Sequence, residues 1–199
     1  ILPEGQNGRD TQGFLMNSPR TNGLNNPADA DYDTYIDLGS TTTLADDAAW
    51  SLTVWLKPSD FADNYFLGNG NDYIILDSSS VVKVYAASSG YILKSRVAGD
   101  SATTFTADEW VHIGLTRGTD DEIRLYVDGV FQSDPTNAGG GSPADHVDMN
   151  AVFRYRYIGN HATTVPFRGM IDDVAIYDTE LEAAQVLRNY KAGKGRHRN

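Results

Sequence analysis

Apolar and polar residues alternate along most of this chain, in short runs rather than long ones. In one such run Ile123, Leu125 and Val127 fall on one side of the backbone. Comparable runs recur about every 8 to 12 residues between clusters of Gly, Asn and Asp, which predicts an all-β sandwich of antiparallel strands. A helical period occurs only at 179–190, where Thr179 and Glu182 have the spacing of a capping box, so one short C-terminal helix is predicted.

The run at 167–178 is the last β segment before the predicted helix, and its sequence is Phe-Arg-Gly-Met-Ile-Asp-Asp-Val-Ala-Ile-Tyr-Asp. The run is short, regularly apolar and rich in β-branched residues, which predicts a buried strand. A strand that closes a sheet pairs with strands formed earlier in the chain. Two earlier runs, 50–58 and 110–117, have the composition expected of its partners.

Composition divides the chain into three segments. Residues 1–31 are rich in Gly, Asn, Asp and Pro and contain one compact apolar group, Phe14-Leu15-Met16. This predicts an extended arm that is held at one point. Residues 32–190 contain the predicted strands and helix and form one domain, and residues 191–199 form a basic tail.

The net charge is −11 and the isoelectric point is about 4.6, which argues against general nucleic-acid binding. Positive charge is concentrated in the tail, so we expect the tail to dock on an acidic neighbour such as a second copy of the chain; the residues are Lys191, Lys194, Arg196 and Arg198. No run of about 18 apolar residues is present, so we expect no membrane insertion. The absence of cysteine excludes disulfides and thiolate metal sites.

Five motifs follow one another in an order and spacing that resemble laminin G-like domains of the concanavalin A-like lectin/glucanase superfamily. They lie at 35–38 (Tyr-Ile-Asp-Leu), 50–58 (Trp-Ser-Leu-Thr-Val-Trp-Leu-Lys-Pro), 110–117 (Trp-Val-His-Ile-Gly-Leu-Thr-Arg), 125–129 (Leu-Tyr-Val-Asp-Gly) and 167–177. The resemblance covers about residues 35–190. It implies a two-sheet antiparallel jelly-roll sandwich, and it leaves the function to be argued from the site because the superfamily contains both binding modules and glycosidases.

Glycosidase chemistry needs two carboxyl groups about 5 to 10 Å apart across a cleft. The Glu-x-Asp-x-x-Glu run of the glucanase branch is absent from this sequence. Asp172 and Asp173 are adjacent on a predicted strand, so we expect their side chains to point to opposite faces. We therefore predict that the chain is not an enzyme, and a glycoside hydrolase relative is the third alternative.

Calcium is the metal that this composition favours, because oxygen ligands are abundant and many relatives of the fold bind calcium. We hypothesise a structural calcium that ties the N-terminal loop to the closing strand, with Asp172 or Asp173 as a ligand. The alternative is that one of these carboxylates accepts backbone hydrogen bonds and the other faces water.

For ligand binding, the sequence offers one loop and one strand with polar and aromatic side chains that suit sugar hydroxyls and sugar rings. The loop candidates are Asp63, Asn64, Asn71 and Asp72, and the strand candidates are Arg154, Tyr155, Arg156, Tyr157 and His161. The alternatives are that Tyr155 and Tyr157 pack in the core or at a sheet edge and that the Asn-rich loop is only a turn.

Arm and tail together suggest a protein held within a larger assembly, with Phe14 and the basic tail residues gripping neighbouring subunits. Cysteine-free laminin G-like proteins of this size resemble phage and viral surface components. The leading prediction is therefore a structural or adhesion protein of the virion surface, such as a capsid decoration or fibre subunit, able to bind glycans. The alternative is a carbohydrate-binding module of a secreted or cell-surface protein.

Overall fold

The computed structural model describes residues 14–16, 35–45, 48–61, 64–76, 82–87, 90–94, 105–132, 147–148, 152–161 and 166–198. In order, its elements are β1 (Phe14–Met16), β2 (Ile36–Leu44), β3 (Trp50–Pro58), β4 (Asn64–Gly68), β5 (Tyr73–Leu76), β6 (Val82–Ala86), β7 (Gly90–Lys94), β8 (Val111–Arg117), β9 (Glu122–Val127), β10 (Val130–Phe131), β11 (Val147–Asp148), β12 (Phe153–Ile158), β13 (Gly169–Tyr177) and α1 (Ala183–Lys194).

The strands form two antiparallel sheets that face each other. Sheet A has the order β1-β13-β3-β8-β9-β10, with β11 also paired to β9, and sheet B has the order β2-β12-β4-β5-β6-β7. The crossovers between non-consecutive strands are those of a jelly-roll sandwich with one short C-terminal helix, so the predicted fold class is confirmed.

The closing strand β13 lies where the sequence predicted a central element. It pairs with β3 on one side, from Gly169 opposite Pro58 to Tyr177 opposite Ser51, and β3 pairs in turn with β8. On its other side β13 pairs with β1, with Phe14 opposite Ile171. The apolar group of the arm therefore pairs with the closing strand of its own chain.

The main core fills the space between the two sheets. Trp50 of β3 stacks on Phe153 of β12 with ring centroids 6.4 Å apart, which joins sheet A to sheet B. Alternate residues of β3, β5, β6, β8 and β9 point into this layer. Each fully buried Leu, Ile or Phe there stabilises the fold by about 1.5–3 kcal/mol through removal of apolar surface from water.

The helix begins later than the sequence predicted. Its N-cap is Glu182, whose capping box is formed with Gln185 rather than with Thr179. The reason is a tertiary contact: the Ser51 hydroxyl donates to the Thr179 carbonyl and accepts from the Leu181 amide, both at 2.8 Å, and so holds this segment extended. The helix then continues to Lys194, four residues into the predicted tail, and it is too short and too polar to cross a bilayer.

Candidate functional site

The outer face of sheet A is covered by α1 and by the residues that follow it. Val186 of the helix lies against Gly114 of β8, where an added Cβ would be 2.8 Å from the valine side chain. His197 lies under the end of the helix, 5% exposed, and stacks on the Trp55 indole at 4.3 Å with an interplanar angle of 12°. Trp110 approaches the same imidazole edge-on at 4.6 Å. The predicted tail is therefore part of the domain as far as His197.

The two aspartates of the closing strand lie close together, which shows that the expected separation onto opposite faces was wrong. A β-bulge between Asp172 and Ala175 interrupts the pairing with β3, and Asp173 has the left-handed backbone angle φ 48°. Oxygen atoms of Asp172 and Asp173 and a ring nitrogen of His197 lie within 4.8 Å of one another. Strict alternation holds only for a regular strand, and the bulge removes it.

Both carboxylates are engaged by cationic or proton-donating groups of the same chain. Arg196 forms an ion pair with Asp173. The imidazole of His197 bridges Asp172 Oδ2 and the Gly193 carbonyl, each at 2.9 Å. Calcium takes six to eight oxygen ligands, so a site that already holds a guanidinium and an imidazole does not fit calcium. The N-terminal loop that calcium was expected to hold lies outside the described residues.

The basic tail was expected to dock on an acidic neighbour, and the structure supplies one acidic partner within the chain itself. Arg196 pairs with Asp173 of β13, and the Lys194 ammonium lies 5.2 Å from the centre of the Tyr190 ring. Lys191 and Arg198 are exposed. Two of the four basic tail residues therefore have internal contacts, Lys194 and Arg196. The sequence pattern did not indicate these contacts because they depend on where the helix ends.

His112 of β8 lies beneath the helix and is 1% exposed. Burial, with a smaller contribution from the nearby charge of His197, lowers the pKa of His112 from 6.5 to about 4. In the unfolded chain this imidazole therefore takes up a proton below about pH 6.5, whereas in the folded chain it remains neutral down to about pH 4. The contribution of His112 to the free energy of unfolding is fully present above pH 6.5, and it is lost as the pH falls from 6.5 towards 4.

We expect the free energy of unfolding to decrease by about 3 kcal/mol between pH 6.5 and pH 4 through His112 alone. Urea unfolding at half-unit pH intervals measures this slope. The His112→Phe variant provides the control, because it lacks the titrating group and should show a shallower slope over this interval. An identical slope in the variant would show that other groups cause the acid sensitivity.

Sheet B presents a row of tyrosines on its outer face. Tyr157 of β12 lies opposite Gly68 of β4, Gly68 lies opposite Tyr73 of β5, and Tyr73 lies opposite Tyr85 of β6. The adjacent residues Ile74 and Val84 belong to the core, so these positions point away from it. The three tyrosines are half-buried, and together with Gly68 they form one row across four strands.

Gly68 makes room in the middle of this row for a side chain from another segment. A Cβ at Gly68 would lie 2.8 Å from the Cβ of His161, so only glycine allows His161 to lie over the sheet here. The imidazole stacks on Tyr65 at 4.2 Å and meets Tyr73 edge-on at 5.2 Å, while Tyr73 stacks on Tyr85 at 4.8 Å. We call Tyr65, Tyr73, Tyr85, Tyr157 and His161 the aromatic row.

Four of the predicted ligand-binding residues lie on or beside the aromatic row. Tyr157 and His161 belong to it, and Arg154 and Arg156 lie on the same strand as Tyr157. The guanidinium of Arg156 donates to both carboxylate oxygens of Asp37 at 2.7 and 2.8 Å and lies 5.2 Å from the centre of the Tyr157 ring. The hydrogen bonds from Arg156 lower the pKa of Asp37, so this exposed pair keeps both of its charges at neutral pH.

Three other predicted residues are structural. Tyr155 faces the core, and Asn64 is fully buried, where its Oδ1 accepts from the Arg168 amide at 2.7 Å. Asp72 is also fully buried and accepts from the amides of Ala87 and Arg154, each at 2.9 Å. Asn71 is exposed in the β4–β5 turn, and Asp63 lies outside the described residues.

The sequence analysis did not name Tyr65, Tyr73 and Tyr85, although their positions on three consecutive predicted strands were available as a signal.

These features define a lectin-like jelly roll in which one outer sheet face is closed by a helix and the other carries aromatic and basic side chains. The chain belongs to the concanavalin A-like lectin/glucanases superfamily, whose laminin G-like family model matches residues 29–187. This confirms the resemblance inferred from the five motifs and supports a role as a binding domain.

Comparison with known proteins identifies further relatives. The chain is similar to adhesion G-protein coupled receptor V1 of Danio rerio. The alignment is 161 positions long with 29% identity, and it covers 75% of this chain but only 2% of the receptor. Domain 4 of AbnA, a GH43 extracellular arabinanase from Geobacillus stearothermophilus solved with arabinotriose, superposes with a TM-score of 0.50 and 20% identity over 73% of this chain and 68% of the other. A protein from Bacteroides ovatus that is described as carbohydrate-binding superposes with a TM-score of 0.51 and 15% identity over 77% of this chain and 44% of the other.

Proposed function

We propose that this chain is a non-catalytic module that binds carbohydrate on the outer face of sheet B. The aromatic row is the observation that supports this proposal. Its four half-buried tyrosines and the His161 imidazole share this face, and Arg154 and Arg156 beside them carry guanidinium groups that donate hydrogen bonds. Within the described residues α1 covers the outer face of sheet A, and we therefore assign the binding face to sheet B.

The ring contacts define how a sugar would be held. Tyr73 and Tyr85 stack face to face, with an interplanar angle of 12°, so their facing sides are already covered. Their edges and hydroxyl groups therefore provide the recognition, through hydrogen bonds to sugar hydroxyls rather than through stacking alone. An extracellular module of this kind agrees with the names of three relatives: an adhesion receptor, a domain of an extracellular arabinanase solved with arabinotriose, and a protein named for carbohydrate binding.

Tyr73→Ala tests the proposal, because this residue is the centre of the aromatic row. We expect the variant to bind its best glycan at least about tenfold more weakly, since truncating a central contact residue commonly costs more than 1.4 kcal/mol. The wild-type chain is first screened on an array of neutral and acidic oligosaccharides that includes arabinotriose, and affinity is then measured by calorimetry.

Phe131→Ala is the matched control for this experiment, because Phe131 is an aromatic residue on sheet A with 36% exposure. Its affinity should equal that of the wild type. The proposal fails if the wild type binds no glycan on the array, or if the control variant loses as much affinity as Tyr73→Ala. Melting temperatures of both variants show that each is folded.

A protein ligand is the second candidate, because tyrosine and arginine are enriched in the cores of protein interfaces. The same face would then contact other subunits, as the predicted virion-surface component requires. Mass photometry of the wild-type chain, with Tyr73→Ala as comparison, detects self-association through this face. The virion setting, with its capsid or fibre partners, stays a prediction.

A further inference from the structure

The helix α1 begins beside a concentration of negative charge. The Arg124 guanidinium forms ion pairs with three carboxylates, those of Asp120, Glu122 and Glu180, at 2.5, 2.6 and 3.0 Å. Burial raises the pKa of Glu180, and so does repulsion from neighbouring carboxylates that include the exposed N-cap Glu182. One cation therefore faces four carboxylates, which leaves net negative charge. We call Asp120, Glu122, Glu180 and Glu182, with the exposed Asp178, the acidic end.

The helix ends beside an excess of positive charge, about 18 Å away because its 12 residues rise about 1.5 Å each. Arg196 forms an ion pair with Asp173. Lys191 and Arg198 are exposed, and neither has a carboxylate partner in the described part of the chain. This end of the helix therefore keeps unpaired positive charge. We call Lys191, Lys194, Arg196 and Arg198 the basic end.

Between its two ends α1 presents a face that allows close approach of another helix. Four exposed residues follow one another at helical spacing and share this face, namely Ala184, Arg188, Lys191 and Gly195. Ala184 and Gly195 are small, and a Cβ built at Gly195 would meet no atom within 4 Å. The helix itself contains no aspartate or glutamate. Negative charge is thus confined to one end of this face, and unpaired positive charge lies towards the other.

This distribution of charge is complementary to itself after a half-turn. A second copy with its helix antiparallel brings its basic end to the acidic end of the first copy, and its acidic end to the basic end. A membrane or polymer of uniform negative charge would instead be repelled at the acidic end. The partner that fits both ends at once is therefore another copy of this chain.

We propose that two copies form a dimer through the outer faces of their antiparallel α1 helices, with each acidic end against the basic end of the other copy. Contact between two helices and their flanking turns buries little area, so the dimer belongs to the transient class, under about 1,200 Å². The net charge of −11 opposes association, but charges separated by more than a Debye length, about 10 Å at 0.1 M salt, are largely screened. Sheet B lies on the other side of the sandwich, so both aromatic rows stay open.

Sedimentation velocity of the full chain, at protein concentrations up to about 1 mM in about 0.1 M salt, tests the proposal. Association should stop at the dimer and should weaken in about 1 M salt, where the Debye length falls to about 3 Å. Lys191→Glu should weaken dimerisation at least about tenfold, because two-fold symmetry replaces two attractions by two repulsions. Asp178→Lys should have the same effect from the acidic end. Both residues are exposed and have no ion pair within the described residues, so melting temperatures should stay at the wild-type value.

An equimolar mixture of the Lys191→Glu and Asp178→Lys chains provides the decisive comparison. In the mixed dimer the two reversed charges face each other at one contact and the natural charges face each other at the second, so dimerisation should return to about the wild-type strength. Lys83→Glu, the same reversal on sheet B, is the matched control and should dimerise as the wild type does. The proposal is overturned if the wild type stays monomeric or assembles beyond the dimer, or if the mixture stays monomeric. Loss of the dimer in Tyr73→Ala would place the contact on sheet B and would also overturn it.

Discussion

Replacing Gly169 with alanine should lower the free energy of unfolding by about 4 kcal/mol. Gly169 begins β13 opposite Pro58 and has φ 135°, a conformation that side chains rarely adopt. A Cβ at this position would lie 2.0 Å from the Lys57 carbonyl oxygen, which is backbone and cannot rotate away. The cost combines an unfavourable backbone angle with a steric overlap that must displace β13 from β3. Urea unfolding followed by fluorescence of the buried tryptophans measures the change.

Gly39→Ala is the control that separates these two causes. Gly39 also has a positive φ, 79°, but a Cβ there would meet no atom within 4 Å. Its substitution should therefore cost only about 1 kcal/mol, from the backbone angle alone. If both variants lose the same free energy, the overlap with Lys57 is relieved by a small adjustment, and the tight contact between β13 and β3 is not needed for stability.

Asp72→Ala should lower the free energy of unfolding by about 4 kcal/mol, the second large effect. The fully buried carboxylate accepts the backbone amides of Ala87 and Arg154, and so ties the β4–β5 turn to the end of β6 and to β12. Alanine leaves both amides without an acceptor, and each buried unsatisfied group costs about 1–3 kcal/mol. The Arg154 guanidinium, 3.5 Å from the same carboxylate, also loses its partner.

Asp72→Asn keeps the shape and one acceptor oxygen, so about half of the loss should be recovered. Chemical denaturation of the wild type and both variants at pH 7 gives the comparison. Glycan binding in the folded fraction of Asp72→Asn should remain, because the residue lies beneath the sheet surface rather than on it. A stable Asp72→Ala variant that loses only glycan affinity would return Asp72 to the ligand-binding role that the sequence suggested.

The residues that the sequence analysis named for ligand binding fall into two structural groups, one on the outer face of sheet B and one buried. Arg154 and Arg156 share the outer face because they alternate with Tyr155. Tyr157 joins them only because the register of β12 shifts between Tyr155 and Tyr157, and His161 lies beyond the end of the strand. Asn64 and Asp72 have the residue types of a sugar site, yet both are buried. A polar residue near a turn can accept hydrogen bonds from the backbone amides of neighbouring strands as readily as it can bind a ligand. Only the positions of those strands in the folded chain show which of these two roles is possible.

Local pattern determined the all-β class, the closing strand and the C-terminal helix, because strand periodicity, helical periodicity and turn residues depend on consecutive positions. The family followed from the resemblance of five ordered motifs to laminin G-like domains. The tertiary structure decided which residues meet. Cross-strand register aligned Tyr73, Tyr85 and Tyr157, the bulge of β13 brought Asp172 towards Asp173, and the end of α1 carried His197 onto Trp55. Except for the two adjacent aspartates, these contacts join residues far apart in the chain. They arise from packing against partners that no local pattern specifies.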